Sequence, residues 1–598
     1  MSTTKQKECT YSISTSLSLN LSVEYDNKLK ALFFESEGNI VDIRGIGQGK
    51  TYDANGLTNE LFNRGQYVIR ILPFYETINE VTPTLEDAFV AYGRTYIGMC
   101  SVHAKYQHAP ARGLCKLCRE DKTLCRYQAQ DEYLKSGRAR VVVAVPQMLP
   151  YLLSIYRKYN PVIIIDDCKI EDIAYPKMGH DQKWLMTIYE DFNGMSAAEI
   201  EEWIASHKKK IKHDLAAARN LLIDKMAKGP TNLLHLGSRA DFLAFCANAD
   251  IKVRERKGHY TFSYFDTTLQ YFRFIYQTAT MTKIQRKIVW ELSPYGVKEL
   301  SKKGEPVPCW TLHAISDAKY TQRACMGSDD ISKNRIHRIY QKSIRYLDFI
   351  KKETGREFVE FSQERVYEAR LSGLIADLDP ICHLKHYGDV SCGSNEYTNF
   401  KGVVVVGTLA PNASFFDSGP YLAGNPLPTS NNDFSVSYEV TQEITDGIKI
   451  QELGRVFRRK GEQEHEEKIG LMLGTPPKYE VLPDGTKWIP EIGCIVIEHT
   501  AEEFEWTVVY FMISWLQEAI INKALRERPV FLSEFSKEVA EQLQGISAST
   551  VQRILEKSGR FTIELRKVKG NNKPKKVIEW GSNSDVKSTE NIAALLAD

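Results

Sequence analysis

The chain has 598 residues and a mass of 68.2 kDa, with 43% hydrophobic and 26% charged residues. This composition is typical of a folded protein and excludes a disordered or fibrous chain. Because 78 basic residues nearly balance 76 acidic ones, net charge does not indicate a polyanionic partner, and any nucleic-acid surface must be local.

The sequence offers neither a membrane span nor a secretory signal. Its apolar runs are shorter or more broken than the about 17–25 residues that a span needs. The N-terminal residues MSTTKQKECT lack the apolar core of a signal peptide. Twelve cysteines in a chain of this length are too sparse for a disulfide scaffold. We therefore expect a soluble, cytoplasmic protein of about four domain-sized units.

The first chemical motif is a glycine-rich turn in the segment GNIVDIRGIGQGKT at 38–51, between a short predicted strand and a predicted helix. Glycines allow such a loop to point backbone N–H groups at phosphate oxygens, and the helix N-terminus adds its positive end. The lysine can reach the β- and γ-phosphates, and the threonine hydroxyl can ligate Mg²⁺. We predict a phosphate-binding loop for ATP formed by Gly45, Gly47, Gln48, Gly49, Lys50 and Thr51. An ordinary turn is the alternative.

Further β-branched runs at 67–72, 138–145 and 161–167 have the length of buried strands, and strands that alternate with helices predict a parallel α/β sheet. The third run ends in Asp166 and Asp167. A carboxylate leaving a buried strand beside a phosphate loop is placed to hold the Mg²⁺ of a nucleotide. A second carboxylate could deprotonate the attacking water. We predict these two roles in that order, with a solvated turn as the alternative.

Four cysteines fall within 26 residues between these two motifs, in a polar, basic stretch that offers no apolar core. They are Cys100, Cys115, Cys118 and Cys125. Four thiolates suit either tetrahedral Zn²⁺ or a [4Fe–4S] cluster, and the spacing does not separate the two. A fold that has lost its metal is the third reading.

A charged, helix-like stretch occupies 183–228, and a second strand–helix series follows at about 283–525. Near the end of that series, Gln451, Arg455 and Arg458 have the i, i+4, i+7 spacing of one helix face. Two arginines and a glutamine presented by a second α/β unit suit the γ-phosphate of a nucleotide held by the first. A surface helix carrying the same residues without a function is the alternative.

The pattern changes again at about residue 526. Two short helices are followed by two strands and a loop, and seven basic residues lie between Arg560 and Lys576 with Glu564 as the acidic exception. This order predicts a winged-helix-like domain that binds duplex DNA or a protein partner. A purely structural tail is the alternative.

These motifs occur in a familiar order. The GQGKT loop, the strand with its carboxylate pair, Thr278-Ala279-Thr280, the segment 393–407 and QELGRVFR at 451–458 resemble motifs I, II, III, V and VI of superfamily 2 helicases. The cysteine group and the preceding GRTY at 93–96 resemble the DinG/XPD branch of iron–sulfur DNA helicases. Two departures stand out: Arg44 replaces the first glycine of the strict phosphate-loop pattern, and Asp167 replaces the family's glutamate. We find no adenine-reading glutamine motif.

The resemblance implies an α/β fold with two RecA-like parallel-sheet domains, at 1–282 and 283–525, and the winged-helix-like domain at 526–598. It also implies that a four-cysteine module at 95–135, carrying a [4Fe–4S] cluster, and a helical arch at about 178–265 are inserted in the first domain. The implied activity is an ATP-dependent DNA helicase that translocates 5′→3′ on single-stranded DNA and opens forked duplexes. Two alternatives stay open: an ATP-switched remodelling translocase without strand separation, and a nuclease with an ATPase motor, for which we see no carboxylate cluster.

Overall fold

The computed structural model describes about three fifths of the chain. The described residues are 28–94, 96, 98–100, 125–227, 234–248, 250–256, 258–301, 305–315, 357–362, 366–367, 383–386, 397, 399–407, 434–458, 466–499, 520, 523, 529–542, 547–557, 562–567 and 573–579.

Helices and strands alternate through most of these residues. The helices are α1 Lys28–Glu35, α2 Lys50–Asn63, α3 Tyr75–Val81, α4 Arg126–Lys135, α5 Leu149–Tyr156, α6 Ile170–Ala174, α7 Gln182–Ile188, α8 Ala197–Ser206, α9 Lys208–Ala227, α10 Leu234–Asn248, α11 Lys283–Glu291, α12 Phe434–Leu453, α13 Leu532–Gln542 and α14 Ala548–Lys557. The strands are β1 Asn39–Asp42, β2 Val68–Ile71, β3 Ala88–Ala91, β4 Val141–Ala144, β5 Val162–Asp166, β6 Lys177–Asp181, β7 Lys252–Arg256, β8 His259–Ser263, β9 Phe274–Gln277, β10 Val297–Leu300, β11 Trp310–Ile315, β12 Phe358–Ser362, β13 His383–His386, β14 Gly402–Val406, β15 Lys468–Leu473, β16 Glu480–Val481, β17 Lys487–Ile489, β18 Cys494–His499, β19 Val530–Phe531, β20 Thr562–Arg566 and β21 Lys575–Glu579.

The first sheet is parallel throughout, in the order β10-β1-β9-β5-β2-β4-β3. Strands β1, β2, β4, β5 and β9 are buried along their whole length, as expected for a parallel sheet covered on both faces. The carboxyl ends of β1, β5 and β9 therefore meet at one edge, since the three strands are neighbours. The predicted parallel α/β architecture is present. The sheet also includes β10, which lies beyond residue 282, the predicted end of the first domain.

The second sheet has the order β13-β12-β14-β15-β11-β18-β17-β16. Its first six strands are parallel, and β17 and β16 extend it as an antiparallel edge. An apolar core on this sheet includes Trp310, Leu453, Phe457 and Ile492. We call the part of the chain built on the first sheet the first unit, and the part built on this sheet the second unit.

The segment that was predicted to be a helical arch contains helices α7–α10, but also an antiparallel sheet of order β6-β8-β7. The predicted helices are therefore present together with a small sheet, and the role of the segment as an arch stays a prediction. In β8, Tyr260, Phe262 and Ser263 are buried while His259 is exposed. This near-alternation is the strand signal that the charged helices around it obscure. The segment has its own apolar core, which includes Phe192, Trp203 and Phe242.

Near the C-terminus, β19, β21 and β20 form a small antiparallel sheet beside α13 and α14. Val551 and Leu555 of α14 are buried. The winged-helix-like domain stays a prediction. Within the described part of the chain, no helix is long and apolar enough to cross a membrane.

Candidate active site

The glycine-rich turn forms the loop between β1 and α2. Gly47 and Gly49 have φ angles of 76° and 75°, in the left-handed region where a side chain would strain the backbone. Gly49 is the N-cap of α2, so helix α2 begins at Lys50 and presents its first N–H groups to the loop. An anion placed in this loop would meet both the helix end and the neighbouring backbone N–H groups.

Lys50 is buried, and its ammonium group donates hydrogen bonds to the carbonyls of Arg44 at 2.7 Å and Gly45 at 3.1 Å. Burial lowers the pKa of Lys50, and the nearby charges of Asp167, Asp42 and Asp166 oppose that shift. The lysine is thus held inside the loop and lies near three carboxylates.

Arg44 connects the base of the loop to its two flanking elements. Its guanidinium binds Asp42 at the end of β1, at 2.8 and 2.9 Å, and Asp53 in α2, at 2.6 Å. Burial alone would lower the pKa of Arg44, but the hydrogen bonds and charges of the two aspartates raise it. Arg44 stands where the strict motif has a glycine, so the departure from the motif places a buried ionic cluster at the base of the loop. Two aspartates flanking an out-of-pattern arginine were the available signal.

Gln277 links this cluster to the next strand. It ends β9, and its amide nitrogen donates to Asp42 at 3.0 Å and to the carbonyl of Lys50 at 3.2 Å. The backbone N–H of Thr278 also bonds to the carbonyl of Asp42. The segment Thr278-Ala279-Thr280 therefore starts directly beside the loop.

Asp166 is the last residue of β5 and is almost completely buried. Its carboxylate accepts a hydrogen bond from the guanidinium of Arg70 on β2 at 3.0 Å, and the Thr51 side chain is a second partner. Burial raises the pKa of Asp166 to about 6, and the positive charges of Arg70 and Lys50 limit that rise. A buried carboxylate beside the loop threonine is chemically suited to hold Mg²⁺. The sequence analysis missed Arg70, because a single arginine in an apolar strand gives no motif.

Asp167 follows with a left-handed backbone, φ 50°, which is uncommon for a residue other than glycine. Its N–H donates to the carbonyl of Gln277 at 2.9 Å. Its Oδ1 atom is buried and has no hydrogen-bond partner among the described residues. Burial raises the pKa of Asp167, whereas Lys50, Arg458 and Arg455 lower it. An unpartnered carboxylate oxygen held by a constrained backbone fits a group that accepts a proton or orients water.

The second unit supplies the arginines. Helix α12 ends at Leu453, so the predicted single helix face of Gln451, Arg455 and Arg458 is wrong. Gln451 lies on the helix, and the two arginines lie in the turns after it. These turns are stabilised by short-range bonds such as Phe457 N to Leu453 O at 2.9 Å.

The three residues have different surroundings. The Gln451 amide donates to the Thr280 hydroxyl at 3.4 Å across the interface between the units. Arg455 is paired with Glu452 at 2.7 Å. Burial lowers the pKa of Arg458, and Asp167 is the first of the charges that raise it. Lys50 and Arg458 thus lie within electrostatic reach of Asp167, so a cation from each unit acts on one buried carboxylate of the first unit.

The cysteine prediction falls only partly on described residues. Cys115 and Cys118 lie outside them, whereas Cys100 and Cys125 are half-buried. The N–H of Tyr127 donates to the carbonyl of Met99 at 3.2 Å, so the chain segments that carry these two cysteines are adjacent. In the part of the chain that the structure describes, no three His, Cys, Asp or Glu side chains are placed to hold a metal. The [4Fe–4S] and Zn²⁺ alternatives therefore stay open.

No protein-family model matches the chain, and no curated protein matches it. Solved structures to which it is similar include Xpd4 of S. tokodaii, with a TM-score of 0.40 and 10% identity over 75% of this chain and 93% of that one. A structure described as apo XPD gives a TM-score of 0.38 and 12% identity over 75% and 95%. S. cerevisiae Dbp5, bound to RNA and ADP BeF3, gives 0.31 and 8% over 79% and 88%. At such scores these likenesses assign neither a family nor a function to the chain.

Proposed function

We propose that this chain is an ATP-driven motor on single-stranded nucleic acid, with the ATP site between its two units. One observation carries the proposal. The second unit contacts the loop that holds Lys50, through the N–H of Ile46 and the carbonyl of Glu491 at 2.9 Å, and it brings Arg455 and Arg458 within electrostatic reach of the buried carboxylate of Asp167. A site built in this way is complete only when both units contribute. Nucleotide binding and hydrolysis would therefore change the relative position of the units.

The first unit would bind the substrate's phosphates. Lys50, which donates to two carbonyls of its own loop, would exchange them for the β- and γ-phosphates, and the α2 N-terminus would bind the same anion. Thr51 and Asp166 would hold Mg²⁺, which neutralises charge on the phosphates when it is bound. Asp167 would accept a proton from the attacking water through its unpartnered oxygen.

The second unit would stabilise the charge that develops on the transferred phosphoryl group. Arg458 and Arg455 are the residues for this role, because opposite charge placed where a transition state develops charge lowers the barrier. Arg455 begins from an ion pair with Glu452 that it would have to share or leave. Arg458 is the other candidate for direct contact, since Asp167 is the first of the charges that raise its pKa.

The finer assignment follows the sequence resemblance. We propose a superfamily 2 DNA helicase of the DinG/XPD type that moves 5′→3′ on single-stranded DNA and opens forked duplexes. Cys100, Cys115, Cys118 and Cys125 would ligate a [4Fe–4S] cluster, with Zn²⁺ as the alternative. The adjacency of the segments carrying Cys100 and Cys125 is compatible with a shared metal. The segment at about 178–265 would guide the strand, and 526–598 would contact duplex or a protein partner.

The test is ATP hydrolysis with and without single-stranded DNA. Lys50→Ala should abolish strand-stimulated hydrolysis, because the phosphates lose their main cationic partner. Lys287→Ala is the matched control, since Lys287 is exposed on α11 and pairs only locally with Glu291. Near-normal turnover in Lys50→Ala would remove the loop from the proposal.

Tailed duplexes test the finer assignment. A duplex with a 5′ single-stranded tail should open with ATP, while its 3′-tailed counterpart should persist. Opening of the 3′-tailed substrate alone would contradict the DinG/XPD assignment. Strand-stimulated hydrolysis without any strand displacement would favour the remodelling translocase.

A further inference from the structure

A residue of the phosphate-binding loop reaches out of the first unit. Ile46 stands between Gly45 and Gly47, and its side chain packs against the apolar core of the second unit. That core includes Leu453 at the end of α12, Phe457 in the turns that follow it, and Ile492 in the turn before β18. Ile43, three residues earlier, packs instead against the core of the first unit. Side chains only three residues apart in this part of the chain therefore pack against the cores of different units.

The backbone repeats this connection. The N–H of Ile46 donates to the carbonyl of Glu491 at 2.9 Å. Glu491 lies in the tight turn between β17 and β18, which is closed by the N–H of Gly493 donating to the carbonyl of Ile489 at 2.8 Å. A Cβ atom on Gly45 would lie 2.4 Å from the same Glu491 carbonyl oxygen. Backbone therefore contacts backbone here, and a side chain at 45 would separate the units.

A second close approach lies on the other side of Ile46. A Cβ atom on Gly454 would stand 2.2 Å from Ile46 Cδ1 and 3.1 Å from Ile46 Cγ2. Gly454 directly follows α12 and precedes Arg455, one of the predicted arginines. The absence of a side chain at 454 thus makes room for Ile46 immediately before the segment that carries the positive charges to the site.

We propose that Ile46 is a positioning residue that couples the phosphate-binding loop to the arginine segment of the second unit. The inference rests on the proposed ATPase function and adds to it a direct, protein-only connection between the units. A shift of the loop upon phosphate binding would move Ile46, and with it Gly454, Arg455 and Arg458. Conversely, movement of the second unit away from the first would displace the loop, because Ile46 contacts that unit's core and Glu491.

This arrangement predicts a particular kinetic pattern. Ile46→Ala removes contacts with the second unit but leaves Lys50, Thr51 and the two glycines in place. Turnover at saturating ATP should fall by roughly tenfold, since the coupling energy of contacting residues corresponds to factors of about 2 to 150. The KM for ATP should change much less, about twofold at most on the same scale. A merely structural role would instead lower the amount of active protein and leave the rate per active site unchanged.

The decisive experiment is a double-mutant cycle between 46 and 454. Gly454→Ala should reduce strand-stimulated turnover when Ile46 is present, because the added methyl collides with Cδ1. In the Ile46→Ala background the same substitution should reduce turnover only slightly. The small reduction that is left comes from the carbonyl of Ile450, which lies 3.0 Å from the new Cβ. Ile46→Val provides a milder variant that removes Cδ1 alone, should Gly454→Ala fail to fold with Ile46 present.

Ile43→Ala is the matched control, since Ile43 is the same residue type in the other core. The effects of Ile43→Ala and Gly454→Ala on turnover should be independent, so that the double variant shows no coupling between the two positions. Equal losses from Gly454→Ala with Ile46 present and in the Ile46→Ala background would overturn the proposal, as would wild-type turnover in Ile46→Ala. If the unmodified chain hydrolyses no ATP, the proposed function fails by itself. In that case the thermal unfolding midpoints of the same four proteins are compared, and coupling between positions 46 and 454 in those midpoints shows whether the contact exists.

Discussion

The structure predicts that the buried pair of Arg70 and Asp166 stabilises the first unit through charge compensation. The Arg70 side chain is fully buried and donates to Asp166 at 3.0 Å, to Asn55 at 3.1 Å and to Thr58 at 3.4 Å. It therefore joins β2 to β5 and to α2, the helix that begins at the phosphate loop. Arg70→Met keeps the length and the apolar stem of the side chain and removes its charge.

The expected cost follows from leaving one buried charge without its partner, which is about 3–5 kcal/mol when a buried ion pair is broken. Protonation limits this cost here, because the pKa of Asp166 is already raised to about 6 with Arg70 present. Without Arg70 that pKa rises further above its unfolded value, so the folded state holds the proton more tightly. Each pKa unit corresponds to about 1.4 kcal/mol. The destabilisation should therefore be about 3 kcal/mol at pH 8 and smaller at pH 6.

Urea denaturation followed by circular dichroism measures this effect. Arg64→Met is the control, since Arg64 is half-exposed and pairs with Glu60 at the surface. Arg70→Met combined with Asp166→Asn should be more stable than Arg70→Met alone, because the pair is then removed as a whole. The reasoning is refuted if Arg70→Met destabilises no more than Arg64→Met at both pH values.

Three further predictions concern metals and the C-terminal region. The half-saturating Mg²⁺ concentration for hydrolysis should rise as the pH falls below about 6, because protons and Mg²⁺ compete for Asp166; a flat profile between pH 5 and 7.5 would contradict this role. Protein purified without oxygen should contain about four irons per chain. Cys100→Ser or Cys125→Ser should lower that content, and stoichiometric zinc without iron would contradict the cluster. Deletion of 530–598 should preserve strand-stimulated hydrolysis but weaken duplex binding and flatten its salt dependence, since basic residues that contact phosphates would be lost. An unchanged salt slope would make the region structural.

The parts of the candidate site that depend on local pattern could be located from the sequence, and their roles stay predictions. The loop glycines, Lys50, Thr51 and the carboxylate pair follow from short-range rules: a strand, a turn that needs left-handed backbone and a helix start. The parallel sheet followed from the β-branched runs. These features are encoded within a few residues, so one sequence sufficed to find them.

The partners of these residues could not be predicted in the same way. Arg70 lies 96 residues from Asp166 in the chain, and Gln277 lies 235 residues from Asp42. Nothing local indicates such pairs, which exist only because the strand order brings β2, β5, β9 and β1 together. The break of α12 at Leu453 was also missed, because the spacing of Gln451, Arg455 and Arg458 fits a continuous helix equally well.

The central claim is that hydrolysis requires a cation from the second unit at the carboxylates of the first. Arg458→Ala tests it most directly, through single-strand-stimulated ATP turnover measured beside equilibrium binding of ATP. Arg138→Ala, at an exposed position of the first unit, is the control. We predict a fall in turnover of at least roughly a hundredfold, with ATP binding largely retained, since the lost charge acts on the transition state. Turnover in Arg458→Ala equal to that of Arg138→Ala would contradict the shared site.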